Sequence, residues 1–440
     1  MDLNVAVITL GCPKNEADSD FIKGHLYCSG YHLVSQPKEA QVIVLNTCGF
    51  IESAKRESIE TILELSRYKE EGKCRVLAVV GCLAQRYSGE LFDEIPEIDI
   101  LLGLSDSSKL PEKIIESLNG KRILEVNKPS NYLSKNLSRI KPSSPSAYLK
   151  ISDGCNGSCS YCAIPLIRGN YRSCSEKLLI NEVKFLVKNS VKEIVLVGQD
   201  TSYYGKDIYG ERKLSQLILK LSQIEGLNWI RLLYVQPDGF SKDLLTVFAS
   251  NPKVCKYIDI PFQHSSKKIL RLMKRKGSAE EYLSLLKQMR EYLPDVAVRT
   301  SLMVGFPGET DDDFEELLAF VKAARLDYLG VFEYSAEEGT KASGLPFQIL
   351  NEVKRERYHQ LVALQDSITL EKNKSYKGKK MKVLVESRED GGLFLGRNQY
   401  QAPEIDGIVY LNKKNLKIGE FVSAKITGVD GYDLIGEVTC

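Results

Sequence analysis

Tyr148-Leu-Lys-Ile-Ser152-Asp-Gly-Cys155-Asn-Gly-Ser-Cys159-Ser-Tyr-Cys162 joins a short β-rich run to a glycine-containing loop whose cysteines are spaced C-x3-C-x2-C. Five further strand patterns follow, at 193–197, 229–235, 257–261, 296–304 and 328–334. Helical patterns such as 176–188, 279–292 and 311–324 separate them. Six βα repeats in one run predict an open, incomplete (β/α)6 barrel, with function at the carboxyl ends of its strands. The cysteine loop begins at the first of those ends. Three thiolates on one short loop can hold three irons of a four-iron cluster and leave the fourth iron without a protein ligand. The competing reading is a structural zinc site, which normally takes four protein ligands and has only Cys174 nearby. The loop's place at the functional end favours the cluster.

Upstream, the runs 5–10, 42–46, 76–80 and 98–102 are short, apolar and β-branched, and stretches such as 52–68 between them have helical spacing with charged faces. That alternation predicts a parallel α/β sheet ending near Asn119. Residues 120–146 shift to Lys, Asn, Ser and Pro, as expected of an exposed linker. Downstream, 351–380 carries eight Lys or Arg against four Asp or Glu and reads as a basic helical connector. Residues 381–440 read as five short strands, at 382–386, 393–396, 407–410, 421–427 and 433–438, predicting a small antiparallel β-barrel of a kind often used for binding.

Composition narrows the function classes. Across 440 residues the formal charge is +2, so no global basic excess points to nucleic acid. No run of about 18 apolar residues predicts a membrane span, and no basic-then-apolar leader opens the chain, which predicts a cytoplasmic protein without membrane partners. Eleven cysteines in such a chain suit reduced thiols or metal ligation better than disulfides.

Three of them occupy matched places. Leu10-Gly-Cys12, Asn46-Thr-Cys48 and Val80-Gly-Cys82 each end a predicted strand. Parallel strands end on one edge, so these thiols can converge in the crevice where such sheets place ligands, suggesting a second cluster. Cys28, Cys74 and Cys255 lack that context and read as small buried hydrophobes.

With Tyr161 before its last cysteine, the loop resembles that of the radical S-adenosylmethionine superfamily. The resemblance implies that S-adenosylmethionine chelates the open iron and is cleaved to a deoxyadenosyl radical, using an external electron donor. The other strand ends should then line the cofactor site: Gly198-Gln199-Asp200, Gln263-His264, and the stretch from Arg299 to Gly308. Glycine admits close backbone approach, Asp or Gln can bind ribose hydroxyls, and Arg can pair with the carboxylate. Asp200 reads equally as a helix N-cap and His264 as a solvated loop histidine.

Two cysteine trios in this order, with a terminal β-barrel, resemble the methylthiotransferases along nearly the whole chain. The strings Gly11-Cys-Pro-Lys-Asn15, Asp259-Ile-Pro-Phe-Gln-His264 and Tyr334-Ser-Ala-Glu-Glu-Gly-Thr340 are similar to the branch that modifies small-subunit ribosomal protein twelve. The tRNA-modifying branch usually has Gly-Cys-Gln-Met-Asn and is the nearest alternative.

The resemblance implies an N-terminal domain at 1–119, a linker at 120–146, a radical S-adenosylmethionine domain at 147–340, a connector at 341–380 and a TRAM-like domain at 381–440. It also implies two 4Fe-4S clusters, on Cys155, Cys159 and Cys162 and on Cys12, Cys48 and Cys82, and a methylthio group delivered to the β-carbon of an aspartate. Where the family often has Arg-Ser-Arg after Ile164-Pro-Leu-Ile-Arg-Gly169, this chain has Arg172-Ser-Cys174, so a second basic contact is absent. Residues 381–440 hold seven Lys or Arg against nine Asp or Glu, which suits a basic protein partner as well as mere solubility. The basic stretch 351–380 leaves room for contact with ribosomal RNA, within an assembling subunit or beside the free protein.

Overall fold

The computed structural model describes residues 3–129, 139–389, 391–413 and 415–439. Its first layer is a six-stranded, wholly parallel sheet of β1 (Asn4–Thr9), β2 (His32–Val34), β3 (Val42–Thr47), β4 (Val76–Gly81), β5 (Ile100–Leu102) and β6 (Ile123–Glu125), in the order β2-β1-β3-β4-β5-β6. Helices cover both faces, which is why β3 and β4 are buried at every position and read as unbroken apolar runs. The two edge strands were not legible in the sequence, since each has three residues and a polar member. β6 comes from within the stretch expected to be linker.

The second sheet holds β7 (Ser146–Lys150), β10 (Glu193–Val197), β11 (Trp229–Leu232), β12 (Val254–Gln263), β13 (Ala297–Val304) and β14 (Tyr328–Glu333). All are parallel, in the sequential order β14-β13-β12-β11-β10-β7, and the sheet stays open between β14 and β7. The largest core lies between this sheet and its helices, built on residues such as Leu196, Ile258, Phe262 and Leu317. Two short strands, β8 (Ser152–Asp153) and β9 (Arg172–Ser173), pair antiparallel and clip the base of the cysteine loop.

The basic stretch folds as the helix Asn351–Lys374, which packs Leu361 and Ile368 into that same core. Its Arg357 turns inward to Glu309 at 2.6 Å and Asp311 at 2.7 Å. The C-terminal barrel closes in the order β15 (Lys380–Arg388), β16 (Phe394–Asn398), β17 (Val409–Leu411), β19 (Asp433–Thr439), β18 (Phe421–Asp430). The sequence predicted an antiparallel barrel, and one junction, β17 with β19, is parallel. A closed ring of five strands cannot alternate direction throughout, so at least one parallel junction is unavoidable.

This barrel caps the amino-terminal end of the open one. Trp229 meets Phe421 edge-on at 4.8 Å, and buried Arg231 reaches Glu193 at 2.7 Å while Arg397 pairs with Glu193 and with Glu386 at 2.5 Å. The opposite, carboxyl-terminal end is covered by the first sheet's cysteine-bearing edge. No helix among the described residues is long and apolar enough to cross a membrane.

Candidate functional site

The cysteine loop is held by its backbone. Cys155 N donates to Gly169 O at 3.1 Å and Gly154 N to Asp153 Oδ1 at 2.9 Å. Gly154 has φ +71, and a Cβ there would stand 2.1 Å from Asn170 O, so only glycine lets the chain turn out of β8. Cys155, Cys159 and Cys162 are half-buried, with 156–158 exposed between the first two. The Cys162 thiol is pushed up to about 12, by burial first and then by neighbouring Cys159 and Cys155. The Arg275 guanidinium lies 3.7 Å from Cys159 Sγ and is fixed by Gln236 Oε1 at 2.8 Å and Pro261 O at 2.7 Å.

The second trio sits at the ends of three adjacent strands, Cys12 after β1, Cys48 after β3 and Cys82 after β4. Cys48 and Cys82 are 9% and 5% exposed. Gly11, at φ +95, lets the first turn approach so closely that a Cβ would stand 2.9 Å from Cys48 Sγ. Burial drives the Cys48 thiol up to about 12, and Cys82 and Cys12 add to that rise, so the three thiols share one electrostatic space. For Cys12 burial also acts upward, but Lys14 and Arg168 outweigh it and the thiol is lowered.

The helix Pro13–Cys28 starts directly after Cys12 with proline in its first turn, where a missing N–H costs nothing. Its buried face is unusually polar, carrying Lys14, Asn15, Asp18 and Ser19. Asn15 Nδ2 donates to Thr47 O at 2.9 Å and Ser19 Oγ accepts from Thr9 Oγ1 at 2.6 Å, fixing the helix on its own sheet, while Lys14 and Asp18 turn to the open barrel. Arg168, on the helix Ile164–Arg168 just beyond the loop, donates to Asp153 Oδ1 at 3.0 Å, Asp18 Oδ2 at 3.1 Å and Asn15 Oδ1 at 2.8 Å. Lys150 at the end of β7 bonds Asp18 and also reaches Asp153 Oδ2 at 3.2 Å. One buried network therefore ties the turn after Cys12 to the residue two before Cys155.

Lys14 points the other way, its Nζ 3.8 Å from the centroid of the Tyr234 ring, just past the end of β11. A second clamp joins Arg86, four residues after Cys82, to Glu337 at 2.7 Å and to Glu338 O at 2.8 Å. Glu337 also holds Lys55 at 3.2 Å, so the string at 334–340 serves as the latch between the two layers.

Of the residues expected around S-adenosylmethionine, Gly198, Gln199 and Asp200 follow β10 at the covered end. A Cβ on Gly198 would stand 2.5 Å from Ser152 Oγ, and the Gln199 Nε2 amide is buried with no hydrogen-bond partner among the described residues. Asp200 accepts from Ser202 N at 3.0 Å, capping the turn Thr201–Tyr203, and burial raises its carboxyl. Gln263 ends β12 at φ +71, a strained setting for a non-glycine residue at a strand end.

Arg299 is not brought there. It lies near the start of β13, between Asp259 at 3.3 Å and Asp406 of the C-terminal barrel at 3.6 Å. His264 is fully buried rather than solvated, its Nδ1 accepting from Ser266 N at 3.0 Å. Cys174 is embedded in the main apolar core. Cys74 and Cys255 are buried as expected, whereas Cys28 is exposed at a helix end. Arg168, Lys150, Asp18 and Arg275 were not legible as site residues in spacing alone.

The donor chemistry fits iron–sulfur groups: two sets of three thiols, each next to a buried guanidinium that offsets thiolate charge. Among the described residues no three His, Cys, Asp or Glu side chains close on one point as a single metal ion would need.

Residues 4–103 match an uncharacterized protein family, UPF0004, residues 149–321 the radical SAM superfamily, and residues 378–439 the TRAM domain. A protein of Heliobacterium modesticaldum named ribosomal protein uS12 methylthiotransferase RimO is 45% identical over 99% of this chain and 95% of its own length. One of the same name from Desulfitobacterium hafniense is 43% identical over 100% of this chain and 99% of its own. Among solved structures, the radical S-adenosylmethionine methyltransferase TsrM of Kitasatospora setae, with cobalamin and a [4Fe-4S] cluster bound, has a TM-score of 0.54 at 13% identity, covering 76% of this chain and 75% of that one. That likeness is one of fold. Identity of this order along both full lengths settles the family: the chain belongs to the ribosomal protein uS12 methylthiotransferases, RimO.

Proposed function

We propose that this enzyme, a methylthiotransferase, adds a methylthio group to the β-carbon of an aspartate in ribosomal protein uS12, using S-adenosylmethionine. The observation that carries the reading is the Arg168 network, which couples the two cysteine trios through one buried guanidinium. Cys155, Cys159 and Cys162 would hold one four-iron cluster and Cys12, Cys48 and Cys82 a second, each leaving one iron without a protein ligand. When bound, the first supplies an electron for sulfonium cleavage and the second a place to carry sulfur.

The chain's own side chains do the positioning. Gly198, kept without a side chain by Ser152, leaves its peptide free to face the nucleoside, Gln199 offers an unpaired amide, and Asp200 and Gln263 present oxygens for ribose hydroxyls. Arg299, occupied by Asp259 and Asp406, holds the barrel floor, and Arg275 takes the place of the cation beside the loop. Lys14 is 8% exposed and makes no ion pair with a carboxylate among the described residues, its ammonium lying against the Tyr234 ring and beside Cys12. A desolvated cation that holds no carboxylate of its own favours one, so Lys14 receives the target aspartate between the two trios.

The layers that cover both ends of the barrel exclude water from that space. An external donor supplies the electron, and the reduced thiols suit the cytoplasm. Lys354, Arg357 and Lys372 turn inward, leaving exposed Lys374, Lys377, Lys379 and Lys380 to meet ribosomal RNA if uS12 is modified within the subunit.

The test is an anaerobic assay of the reconstituted enzyme with S-adenosylmethionine, offered uS12 and tRNA separately, with products read by mass. The reading expects one methylthio group on uS12 and none when the target aspartate is replaced by asparagine. Modified adenosine in tRNA with untouched uS12 would reject it.

A further inference from the structure

Residues 267–276, Lys-Lys-Ile-Leu-Arg-Leu-Met-Lys-Arg-Lys, carry six cations and no acid. The helix Lys267–Leu272 buries Ile269 and Leu270 and turns its charges to solvent. Lys268 is paired with Asp313 at 2.6 Å, but Lys267, Arg271, Lys274 and Lys276 make no ion pair among the described residues. Lys274 stands against Lys341, whose contact and like charge hold it below its ordinary range. Two ammonium groups held together with no counter-charge form a surface that an anion relieves.

This patch grips the cysteine loop. Ser160, between Cys159 and Cys162, donates from N to Met273 O at 3.0 Å and from Oγ to Leu272 O at 2.7 Å, and accepts from Ala342 N at 2.8 Å. The residues flanking Lys274 and Lys341 thus hold the loop on both sides. Arg275, in the same run, points inward to Cys159 Sγ. Leu272, within the run, is 36% exposed; Phe347, 80% exposed, is joined through its backbone O to Gly308 N at 3.0 Å, and a Cβ on Gly308 would stand 3.4 Å from Leu272 Cδ1, so both residues belong to this face.

We infer that this face, centred on Lys274, Lys341 and Leu272, docks an acidic one-electron carrier protein. The electron enters by the loop at Cys159. The inference rests on the function proposed above, in which S-adenosylmethionine takes up one electron as its sulfonium S–C5′ bond breaks. The products are methionine and a deoxyadenosyl radical, and the carrier leaves oxidised by one electron. A carrier is favoured over RNA because the patch lies on the loop itself and mixes cations with exposed apolar side chains, whereas phosphate binding gains nothing from Phe347 or from proximity to Cys159.

The experiment measures binding of two purified acidic carriers, a flavodoxin and a ferredoxin, to the reconstituted enzyme at low and high salt by surface plasmon resonance. The doubly reversed K274E/K341E variant is compared with K184E/K188E, which changes the same charge elsewhere. The expected result is that at least one carrier binds the wild type at low salt, weakens at high salt, and binds K274E/K341E about tenfold or more weakly while K184E/K188E is unchanged. Cleavage of S-adenosylmethionine driven by that carrier falls in parallel, and cleavage driven by dithionite does not. The proposal is overturned if neither carrier binds, if reversal leaves binding unchanged, or if K274E/K341E instead loses a ribosomal RNA fragment. A wild-type enzyme inert to dithionite would count against the proposed function, leaving the binding result to stand separately.

Discussion

Arg168 Nη1 lies 3.1 Å from Asp18 Oδ2, joining the helix that follows the first sheet's leading cysteine to the helix that follows the barrel's cysteine loop. Both partners are withdrawn from water, and the same guanidinium holds Asp153. Removing one member of such a buried set leaves uncompensated charge and costs about 3–5 kcal/mol. R168M should lower stability by about that amount in urea denaturation, and R168K by less. Equal stability of R168M and wild type would show that the two layers are joined by other contacts.

Lys14 gives a separable prediction. K14M should raise KM for uS12 about tenfold, since a charge-assisted contact to the target carboxylate is lost, while iron content stays that of the wild type. Steady-state kinetics against uS12 concentration decide it. A fall in kcat at unchanged KM would place Lys14 outside substrate recognition.

The interface between the two barrels predicts an acid-labile contribution to stability. Burial pushes Glu193 upward, but Arg397 and Arg231 overcome it and lower the carboxyl to about 2 from an ordinary 4.5. The folded value is depressed, so the contribution is fully present above pH 4.5 and is lost as pH falls toward 2. Its size is on the order of 3 kcal/mol. Urea midpoints of the metal-free chain across that window should drop for wild type and drop less for E193Q. Identical slopes would contradict the assignment.

Much of this was legible in the residues. Their matched positions after three predicted strands placed Cys12, Cys48 and Cys82 on one sheet edge, because parallel strands must end together. The helices Glu176–Lys188, Ala279–Tyr292 and Asp311–Ala324 fell where apolar periodicity put them. What escaped was whatever depends on contact between distant segments. Asp18 and Lys150 lie 132 residues apart and give no local sign that they meet. Lys14 reads as an ordinary first-turn lysine until the barrel closes over it. Arg299 was expected at a strand's end, but β13 runs five residues past it to Val304, and the capping barrel supplies Asp406 to hold it lower down.

The account stands or falls on two clusters held by two trios, and iron and acid-labile sulfide analysis of anaerobically reconstituted protein tests that most directly. The wild type should hold about eight irons and eight sulfides per chain. Replacing Cys155, Cys159 and Cys162 by alanine should leave about four of each, and so should replacing Cys12, Cys48 and Cys82. Full iron content after loss of either trio, or about one zinc and no sulfide in the wild type, would contradict it.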